Sequence, residues 1–183
     1  NGGGRVTMTG GSVTVDRQGA YALDNYGTAE ISGGILTVQG GTAVHAVTNS
    51  SGPASTTKLS GSVVCNGNIH VNGSNNNDGK TNIAKLEISS GTINGNVNVE
   101  SYSDVTLSGG TFAGGVEGTS ANNTISVTGG IYPQDPGAYL VGDALVILAD
   151  NKYYVGEDAE KRISSAQSGE TLEVVHGDSV SIS

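Results

Sequence analysis

Four residues near the start of the chain have the side-chain types of a sugar-binding patch. Tyr21 and Tyr26 flank Asp24 and Asn25. An aromatic ring can stack on the face of a sugar, and an amide and a carboxylate can hydrogen-bond the sugar hydroxyls. These four residues are therefore the candidate binding site. The alternative is that the two tyrosines cover the ends of structural repeats or pack on the N-terminal repeat.

Carboxylates are the second group that could support chemistry, because glycoside hydrolysis uses two of them about 5–10 Å apart. The acids of the first 130 residues are scattered, and only Glu100 and Glu117 follow matching positions that could bring them together. We expect solvated surface acids and no catalytic pair. The acids considered are Asp16, Asp24, Glu87, Glu100, Asp104 and Glu117.

Histidine and cysteine give no metal site. His45 and His70 are expected at outward positions of their strands, and a metal site would need a third ligand that the sequence does not supply. His176 is no different. Cys65 follows Val63 by two residues, so we expect an inward, inert thiol. A single cysteine also excludes a disulfide within the chain.

Composition excludes several classes of protein. The chain has 8 basic and 17 acidic residues and a net charge of −9, which argues against a nucleic-acid partner. It has no apolar run of about 18 residues, so no membrane span is expected. Its 30 glycines argue against a helical bundle. We expect no cofactor.

A short phrase recurs six times, at intervals of 19 to 30 residues. It reads apolar–polar–apolar, then Ser/Thr-Gly-Gly, then polar–apolar, and this alternation is typical of a strand with one buried face. The apolar positions before the glycines are Met8, Ile31, Leu59, Ile88, Leu107 and Val127. Those after the glycines are Val13, Leu36, Val63, Ile93, Phe112 and Tyr132. Six copies that bury the same two positions imply that these positions stack.

A second, weaker sequence repeat follows the phrases and suggests a third strand in each coil. Residues 67–71 match residues 95–99, and residues 21–25 are aligned with residues 45–49. The sequence therefore predicts an all-β fold over residues 1–130, a parallel β-helix of about six coils with three short strands per coil. Residues 49–53 and 74–80 are expected to be insertions at corners between strands.

The pattern changes after residue 130. Residues 131–156 are expected to cap the solenoid with a β-hairpin, its strands 144–148 and 152–155 joined around residues 149–151. Residues 157–183 are expected to form a short helix over 157–166 and a strand over 171–175 that leads into a following module.

Particular phrases resemble a known family. Residues 107–112 and 21–25 are similar to coils of the pectate-lyase-like right-handed parallel β-helix domains in large Gram-positive surface proteins. Residues 129–140 and 153–155 resemble the segment that closes such domains. Residues 166–172 resemble the phrase that opens the next domain, with Glu170 where that phrase has Asp.

The resemblance implies a non-catalytic module of a secreted or wall-attached bacterial surface protein, an adhesin-like surface or a rigid spacer. Its partners would be host or bacterial glycans or surface proteins. The module would be a monomer within a larger multidomain chain. The sequence begins within a repeat and shows no signal peptide, so we expect an excised fragment.

The alternative that the resemblance raises is a polysaccharide lyase or glycoside hydrolase acting on acidic or host glycans. A lyase needs a basic residue to abstract a proton, usually beside Asp-bound Ca²⁺. No base is expected to share a column with acidic neighbours, and an outward column of stacked acids and bases is not predicted. The bases considered are Arg5, Arg17, Lys58, Lys80 and Lys85.

Overall fold

A computed structural model describes residues 4–48, 54–75 and 81–177 of the chain. The fold is mostly β, with 60% of the described residues in strands and 7% in helices. The insertion expected at 49–53 and most of that at 74–80 lie outside the described residues. The elements are β1 (Arg5–Val15), β2 (Tyr21–Asn25), β3 (Thr28–Val47), β4 (Ser55–Leu59), β5 (Val64–Asn72), β6 (Ser74–Asn75), β7 (Thr81–Asn82), β8 (Ala84–Ile88), β9 (Thr92–Ile93), β10 (Val97–Val99), β11 (Ser103–Phe112), β12 (Val116–Gly118), β13 (Thr124–Tyr132), a 3-10 helix (Gly137–Tyr139), β14 (Val146–Ala149), β15 (Lys152–Val155), α1 (Glu157–Ser164) and β16 (Glu173–His176).

The strand halves before the glycines form one parallel ladder, which we name the first ladder: β1, β3, β4, β8, β11 and β13. Its register confirms the first predicted column, because each apolar residue lies opposite the corresponding residue of the next repeat. From Ile31 to Val127 these side chains are at most 2% exposed. The column is Met8, Ile31, Leu59, Ile88, Leu107 and Val127.

The strand halves after the glycines form a second ladder. One residue of the second predicted apolar column, Val63, was assigned wrongly. Cys65, not Val63, lies between Leu36 and Ile93 in the register. Val63 is buried as well, so hydrophobicity alone did not separate the two positions. Cys65 is fully buried, and burial raises the pKa of its thiol to about 12, as expected for an inert inward cysteine.

The glycine pairs bend the strands between the first two ladders. Gly34 and Gly110 have φ of 95° and 102°, a region that favours glycine. Each long strand therefore pairs with two separate strands of a neighbouring repeat. As a result six strands, β3, β4, β8, β11, β9 and β5, pair in a closed ring.

A third ladder joins β2, the end of β3, the end of β5, β10 and β12. The predicted match of residues 67–71 with 95–99 is confirmed, since Ile69 lies opposite Val97. The alignment of residues 21–25 with 45–49 was three residues out of register. Asp24 lies opposite His45, and Leu23 lies opposite Val44.

The C-terminal elements cover the last repeat. Leu140 forms a parallel bridge to Val127, and β15 pairs antiparallel with β13. The predicted hairpin is confirmed as β14 and β15, with Asp150 and Asn151 at φ of 52° and 57° in its turn. In the first strand of the hairpin, the structure begins at Val146 rather than at residue 144.

The predicted helix is confirmed as α1, which ends two residues before the expected boundary. Ala159 is its buried residue, and the carboxylate of Asp158 accepts a hydrogen bond of 3.0 Å from the backbone N–H of Gly130. β16 then pairs antiparallel with β14. No helix in the described part of the chain is long and apolar enough to cross a membrane.

Candidate functional site

An outward column of polar residues runs along the third ladder. The strands alternate, so Leu23, Val44 and Ile69 point inward and their neighbours point outward. We name the outward set the imidazole column. Its members in register are Asp24, His45, His70, Asn98 and Glu117.

Three aromatic rings stack at the start of this column. The ring of Tyr21 lies 4.1 Å from the imidazole of His45, centroid to centroid, at an interplanar angle of 22°. The imidazoles of His45 and His70 are 5.1 Å apart at 16°. Register places the two histidines on adjacent strands, so the backbone spacing holds the stack. Tyr21 is the end of this stack opposite to His70, and the residue is 36% exposed.

Each imidazole also contacts a carboxylate. Nδ1 of His45 lies 2.9 Å from Oδ1 of Asp24 in a hydrogen bond. Nε2 of His70 lies 2.9 Å from Oε1 of Glu100, a close contact whose angles are outside those of a hydrogen bond. The histidine side chains are 14% and 24% exposed, so they are less solvated than expected for ordinary surface histidines.

These contacts define what the imidazole column can do. A carboxylate that accepts the Nδ1 proton of His45 leaves Nε2 as the basic nitrogen of the neutral ring. The column and its contacts therefore bring together an imidazole base, the carboxylates of Asp24 and Glu100, and the aromatic ring of Tyr21. From the sequence we expected no outward column of stacked acids and bases, and that expectation was wrong.

The structure separates the four predicted site residues. Tyr21, Asp24 and Tyr26 are solvent-accessible, with Tyr26 40% exposed. Desolvation raises the pKa of Tyr26, and the charges of Asp24 and Tyr21 raise it further, so these three side chains lie in one neighbourhood. Asn25 is 4% exposed and points inward. It belongs to the core of the corner and is not presented to a ligand.

Asn25 instead satisfies backbone groups at that corner. Its Nδ2 donates to the carbonyl of Thr56 at 3.1 Å and to Oγ1 of Thr57 at 2.8 Å, and its Oδ1 accepts from the N–H of Gly27 at 2.9 Å. These contacts tie β2 to β4 in a later repeat. Sequence reasoning assigned the amide to a ligand because an amide and a carboxylate beside an aromatic ring have the composition of a sugar-binding patch.

Replacing Asn25 by alanine is expected to lower the free energy of unfolding by about 2 kcal/mol, since buried partners lose their hydrogen bonds. Tyr26→Ala, one residue away and exposed, is expected to change it by less than about 0.5 kcal/mol. Urea unfolding of the two variants measures the difference. Equal losses would show that Asn25 has no special role at the corner.

Charged residues on the first ladder also form columns. Lys58 lies opposite Glu30 on one side and Glu87 on the other, with its Nζ 2.8 Å from Oε2 of Glu87. Lys85 lies opposite Asp104, 3.9 Å away. The expectation that no base shares a column with acids was therefore wrong. Opposite charges alternate along the sheet, so each base neutralises acidic neighbours.

A ladder of asparagines marks the corner between the second and third ladders, and sequence analysis did not single it out. Nδ2 of Asn94 donates to Oδ1 of Asn66 at 2.8 Å, and Nδ2 of Asn66 donates to Oγ1 of Thr37 at 3.0 Å. Oδ1 of Asn68 accepts the N–H of Asn96 at 3.0 Å. The signal was present in the equivalent Gly-Asn phrases at residues 67–68 and 95–96.

Metal ligation has no geometric support within residues 4–48, 54–75 and 81–177. No group of three or more His, Cys, Asp or Glu side chains there could hold an ion. Of the two acids considered as a pair, Glu100 contacts His70, and Glu117 lies opposite Asn98 in the register.

Comparisons with known proteins find no relative of this chain. No family model matches it, and neither a curated protein nor a solved structure matches it.

Proposed function

We propose that this chain is a non-catalytic module built as a right-handed parallel β-helix, and that it holds a glycan-contacting face on a rigid support. Residues 1–130 would form the solenoid, 131–156 its cap, and 157–183 the lead into a following module. The observation that carries this proposal is the register of the first ladder, in which the inward side chains of six successive repeats lie over one another.

The stacked core supports a rigid spacer for a physical reason. Each repeat holds few large side chains, so one repeat alone buries too little apolar surface to fold. Stacking makes the core continuous and satisfies the backbone of each repeat by its neighbours. Deformation would then break contacts in several repeats together, and a support of this kind keeps outward side chains at fixed spacings.

The imidazole column supports the glycan-contacting face. Tyr21 stacks on His45 and is 36% exposed, so its ring can stack on a sugar, and the carboxylate of Asp24 can accept hydrogen bonds from the sugar hydroxyls. The setting, a secreted or wall-attached bacterial surface protein that is adhesin-like, rests on the sequence resemblance alone. Host or bacterial glycans are the partners that this setting proposes.

A glycan array followed by titration tests the contact role. Tyr21→Ala is expected to weaken binding of a captured glycan roughly tenfold, since it removes a stacking partner. Tyr102→Ala, at a different corner, serves as the matched control and is expected to leave binding unchanged. No binding at millimolar glycan, or an equal loss of affinity in the two variants, would overturn the glycan-contact role. The module would then be a rigid spacer only.

A polysaccharide lyase is the second candidate, because the hydrogen bond between Asp24 and His45 orients an imidazole as a base beside Tyr21. Incubation with polygalacturonate and host glycans, followed by absorbance of unsaturated products, tests it. The non-catalytic proposal expects no turnover. Turnover that is lost in His45→Gln and kept in His176→Gln would overturn the non-catalytic proposal. His176 serves as the control because it pairs with Asp135 at another site.

A further inference from the structure

A second column of accessible side chains lies beside the imidazole column on the third ladder, and we name it the amide column. Its members in register are Tyr21, Thr42, Asn68 and Asn96. All four side chains are partly or largely exposed. The column therefore begins at a residue of the proposed glycan-contacting face and continues across the next three repeats.

The two asparagines of this column are anchored through their side-chain oxygens. Oδ1 of Asn68 accepts the backbone N–H of Asn96, and Oδ1 of Asn96 accepts the backbone N–H of Gly115, each at 3.0 Å. Only the oxygen of an amide can accept a hydrogen bond, so these contacts fix the orientation of both amides. Within the described residues their Nδ2 groups donate to no protein atom. The free N–H donors are therefore held in place for a ligand.

An open groove of about 660 Å³ lies beside these amides. It belongs to the second, third and fourth repeats, and Asn66, Asn68 and Asn94 line it together with Thr37 and Gln39. None of its ten lining residues is charged. The groove offers hydrogen-bond donors and acceptors without a charge, which suits a ligand rich in hydroxyl groups.

The backbone at this corner is already paired, and this disfavours an extended peptide as the ligand. The N–H of Asn94 donates to the carbonyl of Cys65, and that of Ile69 donates to the carbonyl of Asn96, each at 2.8 Å. A peptide strand binds through free backbone groups at a sheet edge and through pockets for its side chains. The one aliphatic residue in the lining, Val38, is 2% exposed and forms no such pocket.

Neighbouring charges disfavour an acidic glycan. The imidazole column contains the carboxylates of Asp24 and Glu117, and Glu100 contacts its His70. No lysine or arginine lines the groove, and the chain has a net charge of −9. A uronate would be repelled here, whereas a sugar that carries only hydroxyl or acetamido groups would not.

The spacing of the amide column suits a chain of sugars. Adjacent strands are about 4.8 Å apart, which is close to the length of one sugar unit in an extended chain. Tyr21 and Asn96 are three strands apart, or about 14 Å. A ligand that contacts both residues must therefore be longer than a disaccharide.

We propose that the glycan-contacting face binds an uncharged, extended oligosaccharide that stacks on Tyr21 and continues along the amide column. The Nδ2 groups of Asn68 and Asn96 donate hydrogen bonds to oxygen atoms of its later sugar units. This proposal rests on the proposed glycan contact of Tyr21, and it adds the chemical class, the minimum length and the direction of the ligand. The anchored amides lose little freedom on binding, which favours affinity.

Isothermal titration calorimetry with linear hexasaccharides and disaccharides of glucose, of mannose and of N-acetylglucosamine tests the proposal, with hexagalacturonate as the charged probe. At least one uncharged hexasaccharide is expected to bind about tenfold more tightly than its disaccharide and than hexagalacturonate, since it gains hydrogen bonds and meets no repulsion. Tyr21→Ala is expected to weaken the binding of both lengths.

Asn96→Asp separates the amide column from Tyr21. The aspartate keeps an oxygen for the N–H of Gly115 but removes both amide donors. It is expected to weaken the hexasaccharide about tenfold and to leave the disaccharide unchanged. Asn68→Asp, which keeps an oxygen for the N–H of Asn96, repeats the test at a second position. Asn122→Asp, at an exposed asparagine of another corner, is the matched control and should change neither affinity.

The outcomes distinguish this proposal from the contact role of Tyr21. Losses in Tyr21→Ala without a loss of hexasaccharide affinity in Asn96→Asp and Asn68→Asp would overturn the path along the amide column and leave the contact role intact. Tighter binding of hexagalacturonate than of every uncharged hexasaccharide would overturn the uncharged class alone. If no oligosaccharide binds at millimolar concentration, in this titration or on the array, the contact role fails and this proposal fails with it.

Discussion

Leu107→Lys is expected to leave the chain largely unfolded at room temperature. Leu107 is fully buried, and its register partners Ile88 and Val127 are fully buried as well. A lysine there must bury a charge without a partner, which costs several kcal/mol in addition to the lost apolar contact. The whole free energy of unfolding of a domain of this size is about 5–15 kcal/mol, so one such change removes a large part of it.

The adjacent residue is the control for this prediction. Thr106 lies on the same strand but points outward, opposite Glu87. Thr106→Lys is expected to change the free energy of unfolding by less than about 0.5 kcal/mol. Asn75→Asp, on an exposed corner, is expected to be similarly mild. Urea unfolding followed by circular dichroism measures all three, and similar losses at positions 106 and 107 would contradict the layered core.

Gly61→Ala is expected to lower the free energy of unfolding by about 3 kcal/mol. Gly61 has φ of +60°, and a Cβ there would overlap the backbone carbonyl oxygen of Ser32 in the preceding repeat. The same carbonyl oxygen of Ser32 accepts a hydrogen bond of 3.2 Å from the backbone N–H of Ser62. Alanine would therefore force adjacent repeats apart as well as strain its own backbone.

Gly40 is the control that separates backbone strain at a positive φ from the clash between adjacent repeats. It has φ of +63°, and nothing lies within 4 Å of a Cβ placed there. Gly40→Ala is expected to cost about 1 kcal/mol, the strain of a left-handed conformation alone. The difference between the two variants in thermal or urea unfolding reports the close approach of the repeats. If both glycines tolerate alanine equally, the repeats are not in contact at Gly61.

Alternation of apolar residues was sufficient to predict the inward columns. A side chain such as Leu107 or Ile88 recurs at one position of each phrase, and burial of that position in every repeat leaves a strong pattern in the sequence. The hairpin turn at residues 150–151 was equally clear, because asparagine and aspartate tolerate positive φ.

Register was the part that local patterns did not determine. Val63, just before β5, and Cys65, within it, are two residues apart and both buried, so the choice between them depends on how the repeats stack. The alignment around Asp24 was displaced by three residues for a different reason: Val44 and Val47 are both buried, so either could be matched with Leu23. Insertions of different length between phrases remove the constant spacing that would have fixed the alignment.

The candidate site was predicted in part. Tyr21 and Asp24 were selected from the sequence, whereas the contact of His45 with both depends on the register that was misaligned. His70 was considered as a metal ligand, and its role as a stacking partner follows from its place opposite His45. Outward residues carry no burial pattern, so their contacts are visible only once the strands are paired.

Methyl–methyl nuclear Overhauser spectroscopy of the chain, with labelled isoleucine, leucine, valine and methionine, tests the stacked register most directly. The register of the first ladder predicts cross-peaks that link each residue of the column to its neighbours, in the order Met8, Ile31, Leu59, Ile88, Leu107 and Val127. Ile31 and Leu107, three strands apart at about 14 Å, should show none. Missing cross-peaks between neighbours such as Leu59 and Ile88, or a strong one between Ile31 and Leu107, would contradict it.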